Sequence, residues 1–403
     1  MDFALTTNGR GMTTQPDDPA GIVWAVTAAY TIGVLGGNMQ PLLIGALIDS
    51  VHLDPSRAGL LGSIELAAVA LASFVLAPRM GTISRRALSV AGGALAVCGY
   101  GGSVISGTFT GLALCRVVAG AGAGTVLSIG NGAVSACRNP ERIYAHMTIA
   151  GTLAFTVLLA VLPLAITRFA YRGGYGAMAL VALLLLPLLR WIPDTIAGRH
   201  AHAESETMSG RLGVATLAAA ALLFFSQSAV WAFAERLAVG ARLRHELVGV
   251  VLAGSTLAGL GGAALASRIG TVSGRTLPLI AGIVATGATL LALAYAATPL
   301  QFSAIITVNG IAYLFMVPYV LGVAAAIDPL GRWAAATVGA ATIGAALGPG
   351  VAGPVVEAAG YIALGWLAFI ASLLAAAAVT PVGRALDRRD VARSSNYPAT
   401  SSR

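Results

Sequence analysis

Two ionisable side chains lie deep inside apolar segments of this sequence, far from the polar residues that separate those segments. Glu65 lies about seven residues inside the segment 58–77, and Arg116 lies about seven residues inside the segment 109–136. An ionised side chain in an apolar interior needs a partner, and it is by default a candidate for a functional site. Burial favours the neutral form of a carboxyl group, whereas a nearby arginine favours the charged form. Glu65 and Arg116 could therefore bind and release a proton together.

Three interpretations of these two residues fit the sequence. In the first, Glu65 carries a proton in one state and Arg116 adjusts how readily that proton leaves. In the second, the two side chains form a static ion pair between their segments. In the third, Arg116 contacts an anionic ligand. At the equivalent positions of the internal repeat described below, Gly254 and Ile305 are neutral, so the ionisable residues belong to one half of the chain.

A second group of side chains places amides and aromatic rings within three other apolar segments. The group consists of Asn38 and Gln40 in 22–47, Gln227 and Trp231 in 212–237, and Asn309 and Tyr313 in 300–326. At 1.5 Å per residue, Asn38 and Asn309 lie about 14 Å from the nearer ends of their segments, close to the midplane of an apolar layer about 30 Å thick. Uncharged polar groups and rings suit a neutral or weakly charged, partly apolar small molecule. Each of these residues could instead form a hydrogen bond between helices.

The composition places these residues in a membrane. Only 10% of the residues are charged, 57% are hydrophobic, and the mean hydropathy is +0.84, whereas soluble domains carry about 25% charged residues. The apolar segments are far longer than the strands of about ten residues in membrane barrels, so we predict an all-α polytopic membrane protein. Twelve segments are predicted to be transmembrane helices: 22–47, 58–77, 87–107, 109–136, 143–167, 174–192, 212–237, 247–266, 277–297, 300–326, 334–356 and 361–381.

A short basic turn occurs twice, 189 residues apart, and indicates that the chain consists of two similar halves. The first turn contains Arg79, Gly81, Arg85 and Arg86, the second contains Arg268 and Gly270, and Asp328 and Arg332 follow the tenth segment. The predicted organisation is an N-terminal region 1–21, a six-helix bundle 22–192, a linker 193–210, a second six-helix bundle 211–381 and a disordered tail 382–403.

All 24 cationic residues are arginine, and their distribution predicts the orientation of the chain in the membrane. With the N-terminus inside, seventeen arginines lie on the inner side, six lie on the outer side, and Arg116 lies within a span. Because inner loops carry an excess of positive charge, both termini are predicted to be cytoplasmic. This orientation accounts for the net charge of +8 without nucleic-acid binding. The alanine- and arginine-rich, lysine-free composition is typical of a GC-rich bacterium and predicts a bacterial inner membrane.

Three stretches resemble motifs of the major facilitator superfamily. Arg79-Met80-Gly81 with Arg85-Arg86 resembles its cytoplasmic loop, Arg116 followed by Gly120, Gly122 and Gly124 resembles its fourth-span motif, and Gly348-Pro349 resembles its helix-bending pair. The resemblance covers essentially the whole chain. It implies two pseudo-symmetric six-helix halves, with spans one, four, seven and ten around a central cavity. The six amide and aromatic residues named above would then line this cavity. The residues of the two basic turns, with Asp328 and Arg332, would form a cytoplasmic gate. Pro78 stands where the family loop has an acid, and span five lacks the Gly-Pro pair of the family's drug exporters.

The resemblance implies a secondary active transporter that moves a small organic molecule by alternating access, coupled to protons by symport or antiport. Efflux of drugs or metabolites is one alternative, and a non-transporting receptor or assembly factor is another. The sequence has no HExxH, Gly-x-Ser-x-Gly or P-loop motif, so we expect neither an enzyme nor a cofactor. Neither the three cysteines nor His200 and His202 have the pattern of a metal site. The expected partners are the substrate, protons and lipid, and the expected state is a monomer.

Overall fold

The computed structural model describes residues 21–76, 79, 84–134, 137, 140–194, 210–270, 274–327 and 332–396, and every regular element within these ranges is helical. The helices are α1 (Ile22–Val51), α2 (Pro55–Leu76), α3 (Arg85–Ile105), α4 (Phe109–Val134), α5 (Pro140–Leu185), α6 (Gly210–Ala232), α7 (Ala234–Gly240), α8 (His245–Ile269), α9 (Thr276–Ala294), α10 (Pro299–Ile327) and α11 (Arg332–Asn396), with a 3-10 turn (Leu186–Trp191) after α5. Ten stretches are long and apolar enough to cross a membrane. The predicted all-helical membrane fold is confirmed.

Two of these helices are long enough to cross a membrane twice, and each is interrupted near its middle. Helix α5 has 46 residues and α11 has 65, whereas one crossing needs about 20. Phe169 (φ −131°, ψ 15°) and Ala170 (φ 53°, ψ −149°) interrupt α5, and Gly360 (φ 78°, ψ 177°) interrupts α11. The α5 interruption falls between the predicted segments 143–167 and 174–192, and the α11 interruption falls between 334–356 and 361–381. The number of twelve spans stays a prediction, because the described residues contain ten continuous stretches that are long and apolar enough for a span.

The structure corrects the prediction in two places. The segment 212–237 is predicted as one helix, but Phe233 (φ −107°, ψ 13°) separates α6 from α7. Residues 382–403 are predicted to be a disordered tail, but α11 continues to Asn396. The additional turns are ordered because Val382 and Leu386 are buried in an apolar cluster with residues of α9. Residues 1–20, 195–209 and 397–403, which belong to the predicted N-terminal region, linker and tail, lie outside the described residues.

Glycine in α4 lets this helix pack directly on the backbone of α2. A Cβ atom added at Gly120 would lie 2.3 Å from the carbonyl oxygen of Glu65, which is closer than real Cβ contacts come. Small residues permit this close approach between membrane helices. Because Arg116 lies one turn before Gly120, the packing holds Arg116 and Glu65 in the same layer of the bundle.

The two halves meet where α2 packs on α11 and α5 packs on α8. The backbone N–H of Gly350 in α11 donates a hydrogen bond to Ser63 Oγ in α2 (2.6 Å). Helix α11 stays helical through Gly348 and Pro349, so its interruption lies further on, at Gly360. Pro349 lacks an N–H donor for the helix, and a bending role of Gly348-Pro349 stays a prediction.

Candidate functional site

Glu65 and Arg116 form a direct ion pair in the interior of the N-terminal half. Arg116 Nη1 donates to Glu65 Oε2 at 3.0 Å. Only 3% of Glu65 and 1% of Arg116 is exposed. The hydroxyl of Tyr100, on α3, donates to the other carboxylate oxygen, Oε1, at 3.0 Å. Both oxygens of the buried carboxylate therefore accept a hydrogen bond. The sequence leaves open whether Glu65 and Arg116 contact each other, and the structure shows that they do.

The guanidinium of Arg116 has further partners that do not involve Glu65. Its Nη2 donates to Ser103 Oγ at 2.5 Å and to the carbonyl oxygen of Gly99 at 3.4 Å. The rings of Tyr175 and Tyr100 lie 4.2 Å and 5.1 Å from the guanidinium carbon, within the range of a cation–π interaction. Among the described residues, Arg116 Nε has no hydrogen-bond partner. The arginine is thus held by Ser103, Gly99 and two tyrosine rings in addition to Glu65.

A glycine of α1 makes room for the carboxylate. A Cβ atom added at Gly36 would lie 2.0 Å from Glu65 Oε1, so a larger residue would displace the side chain. The sequence prediction missed Gly36, Tyr100, Ser103 and Tyr175, because single glycines, hydroxyls and phenols are common in membrane helices. The signal available was the spacing of Tyr100 and Ser103, which puts both on one face of α3.

The predicted cavity residues fall into two groups in the structure. Asn309 and Gln40 are buried, with exposed fractions of 1% and 3%, and both join helices. Gln40 Nε2 donates to the carbonyl oxygen of Gly62 in α2 (3.1 Å). Asn309 Oδ1 accepts from Gln227 Nε2 in α6 (3.1 Å), and Asn309 Nδ2 donates to Thr289 Oγ1 in α9 (2.9 Å). For Gln40 and Asn309 the interhelical hydrogen bond is therefore present.

The other members of the predicted cavity set are partly exposed. They are Asn38, Gln227, Trp231 and Tyr313. Asn38 Nδ2 donates to the carbonyl oxygen of Val34 in its own helix (2.9 Å), and the ring of Tyr313 packs edge-on against Phe224, with 6.0 Å between the centroids. These side chains keep surface that a ligand could contact.

The predicted gate lies at the end of the bundle that holds the turn between α2 and α3, which we call the α2–α3 end. Asp194 Oδ1 accepts hydrogen bonds from Ser84 Oγ (2.8 Å) and from the backbone N–H of Arg86 (2.9 Å). The hydrogen bond from the Arg86 backbone, followed by that from Ser84, holds the pKa of Asp194 below its ordinary value. Arg79 Nη1 donates to the carbonyl oxygen of Val75 (2.8 Å). The sequence places Asp194 in the linker and does not predict its contacts with the start of α3.

The second half repeats this arrangement at the start of α9. Asp387 accepts from the backbone N–H groups of Arg275 (2.7 Å) and Thr276 (3.2 Å). Gly270 adopts φ 52° at the end of α8, and its carbonyl oxygen accepts from Tyr319 Oη (3.0 Å). Arg85 is the first residue of α3, and Arg268 lies in the last turn of α8. Gly81 and Asp328 lie outside the described residues, as does the side chain of Arg332.

At the opposite end, which holds the turn 52–54 and which we call the α1–α2 end, polar side chains connect the two halves. Arg236 donates to both oxygens of Asp49, at 2.7 Å and 2.6 Å, and Arg236 Nε donates to Glu235 Oε2 at 2.5 Å. Ser56 donates to Glu357 in the same region. Asp49, Glu235 and His245 offer ligand atoms within 4.8 Å of one another, but both carboxylates already bind Arg236, which leaves little room for a cation.

Neither a family model nor a curated protein sequence matches the chain. Solved structures do match. The nucleoside transporter NupG is 15% identical with a TM-score of 0.68, over 91% of this chain and 99% of that one. A POT family transporter in complex with 5-aminolevulinic acid is 15% identical with a TM-score of 0.69, over 90% and 97%. A peptide transporter POT in complex with alafosfalin is 13% identical with a TM-score of 0.70, over 92% and 96%. These structures have the major facilitator fold, and the chain shares it, as its three motifs predict.

Proposed function

We propose that the protein is a secondary active transporter that moves a small, neutral or weakly charged organic molecule across a bacterial inner membrane by alternating access. We propose further that protons drive the transport through Glu65 and Arg116. The observation that carries the proposal is the buried Glu65–Arg116 pair inside a fold shared with solved transporters. The same mechanism serves symport and antiport, and the sign of the driving pH gradient distinguishes them.

The surroundings of the pair favour proton coupling over a static ion pair. Protonation of Glu65 removes the charge that Arg116 faces, which would strand an arginine with no other partner. Here Arg116 keeps Ser103 Oγ, the carbonyl oxygen of Gly99 and the rings of two tyrosines. These neutral partners would lower the cost of leaving Arg116 without the Glu65 charge, which the proposed coupling requires.

In this proposal, alternating access depends on breaking and re-forming the contacts between the halves at the α1–α2 end. The arginine distribution assigns this end to the outside and both termini to the cytoplasm. The Arg236–Asp49 and Ser56–Glu357 contacts join the two halves at that end. For a substrate to enter or leave there, these contacts must break. The partly exposed Asn38, Gln227, Trp231 and Tyr313 are the proposed substrate contacts, and they carry no charge.

The experiment is transport into proteoliposomes under an imposed pH gradient, after a thermal-shift screen of small organic molecules has supplied a ligand. We expect wild-type protein to accumulate the ligand in response to the gradient, and Glu65→Gln to lose most of that response while still binding the ligand. The matched control is Glu246→Gln, which removes an exposed carboxylate elsewhere. If Glu65→Gln accumulates ligand as wild type does, Glu65 is not the coupling group.

A further inference from the structure

A small cavity lies directly beside the ion pair, between α1 and α2. Its volume is about 10 Å³, and its polar lining is formed by Gln40, Glu65, Arg116 and Tyr175. A space of this size is at the lower limit of what one water molecule occupies, and a buried water needs two to four polar partners. The cavity therefore has the size and the chemistry for a single water.

An unpaired donor on one of the residues that line the cavity points to an occupant. Arg116 Nε has no hydrogen-bond partner within the described part of the chain, although Arg116 is only 1% exposed. A buried donor without a partner is energetically unfavourable. Gln40, which also lines the cavity, uses its Nε2 to bond Gly62. One water could accept from Arg116 Nε and donate to a neighbouring oxygen, which would satisfy both groups.

On the side of the α1–α2 end, buried apolar side chains close the cavity. At that side it is lined by Leu47 of α1 and Ala58 of α2, which lie within about one turn of the ends of their helices. None of the partly exposed residues proposed to contact the substrate lines it. The cavity is therefore separate from the proposed substrate contacts.

We propose that this cavity binds one water molecule and that this water is the group through which Glu65 takes up and releases its proton. The inference rests on the proposed function of Glu65. A hydronium ion in the cavity gives one proton to a Glu65 carboxylate oxygen, where a new O–H bond forms, and remains behind as water. Release follows the reverse path. The titratable or charged groups that face Glu65 among the described residues are Arg116 of α4, Tyr100 of α3 and Tyr175 of α5; α1 contributes Gly36 and Gln40, which do not titrate.

The test follows protonation of Glu65 by infrared spectroscopy after an external pH jump on proteoliposomes that contain the full chain. The carboxylic acid band of Glu65 is identified by its loss in Glu65→Gln. The test variant is Ala58→Leu, which fills the cavity on the side of the α1–α2 end. The matched control is Ala67→Leu, because Ala67 is exposed on the same helix. We expect Ala58→Leu to slow the appearance of the band by about tenfold or more, which corresponds to about 1.4 kcal/mol in the barrier, and Ala67→Leu to leave it unchanged.

Equal rates in wild type and in folded Ala58→Leu would overturn the water path. If Ala58→Leu does not fold, Gln40→Met replaces it, because methionine keeps the volume of the side chain but removes the amide beside the cavity. An unaltered rate in that variant would also overturn the proposal. If the cavity variant slows protonation but Glu65→Gln still accumulates ligand normally, the water path stands and the proposed coupling function fails.

Discussion

At the scale of single residues, the Glu65–Arg116 pair differs from an ordinary buried salt bridge in how unequally its members are held. Glu65 has two partners, Arg116 and Tyr100, whereas Arg116 bonds to Ser103 and Gly99 in addition and lies on the ring of Tyr175. Loss of the carboxylate charge therefore leaves a supported arginine. Loss of the arginine leaves a buried carboxylate with one phenol.

This asymmetry predicts unequal effects of mutation. Arg116→Leu should destabilise the protein by about 3–5 kcal/mol, because it leaves an uncompensated buried charge. The double variant with Glu65→Leu should recover part of that loss, because no charge remains. Thermal unfolding of purified protein in detergent measures both. A double variant that is less stable than Arg116→Leu alone would contradict the cost assigned to the unpaired carboxylate.

At the scale of helices, the position of Glu65 depends on how closely α1 and α4 approach α2. Gly36 of α1 and Gly120 of α4 both face Glu65, and each leaves no space for a Cβ atom. A methyl group on α1 would push the carboxylate away from Tyr100 and Arg116 without changing any charge.

We therefore expect Gly36→Ala to reduce pH-driven accumulation strongly while the protein still folds. Gly37→Ala is the matched control, because a Cβ atom there meets only Leu66, at 3.3 Å. Transport under a fixed pH gradient compares the two variants. Similar activity in both would show that the distance between α1 and the carboxylate is unimportant.

The start of α3 offers a second test at this scale. Asp194 accepts hydrogen bonds from Ser84 and Arg86 in the folded protein, which lowers its pKa. Its contribution to stability is therefore present at about pH 7 and is lost as the pH falls from the unfolded pKa of about 3.9 through the lower folded value. The melting temperature of Asp194→Asn should be below that of wild type at neutral pH, and the difference should disappear in acid. A difference that persists in acid would mean that the ionised carboxylate is not responsible.

The sequence predicts where the helices lie better than it predicts which side chains meet between them. Glu65 and Arg116 are visible because charge is rare within apolar segments. Their partners Tyr100, Ser103 and Tyr175 are not visible, because the rotation of α3 and α5 about their axes decides which neutral polar groups meet the pair. The break at Phe233 and the helical tail beyond residue 382 also depend on packing between segments. The predicted roles of the cavity and gate residues stay predictions.

At the scale of the whole molecule, the contacts at the α1–α2 end decide whether the halves can separate there. Ser56 of the N-terminal half donates to Glu357 of the C-terminal half, and Arg236 donates to Asp49 at the same end. Cysteines at positions 56 and 357, in a chain whose Cys98, Cys115 and Cys137 are replaced by alanine, should form a disulfide on oxidation.

We expect this crosslink to stop transport and a reducing agent to restore it. The measurement is uptake before oxidation, after oxidation and after reduction, with the single-cysteine variants as controls. Full activity in completely crosslinked protein would exclude separation of the halves at this end as part of the transport cycle.

Arg116 keeps its positive charge in both proposed states of Glu65, and this has an electrical consequence. With Glu65 ionised the two residues together are neutral, but with Glu65 protonated they carry one positive charge through whatever movement follows. A membrane potential acts on such a charge with about 2.3 kcal/mol per 100 mV for full passage across the membrane. The proposed proton step is therefore electrogenic. The voltage would then add to the pH gradient, and a permeant cation that collapses the voltage would slow transport even at a constant pH difference.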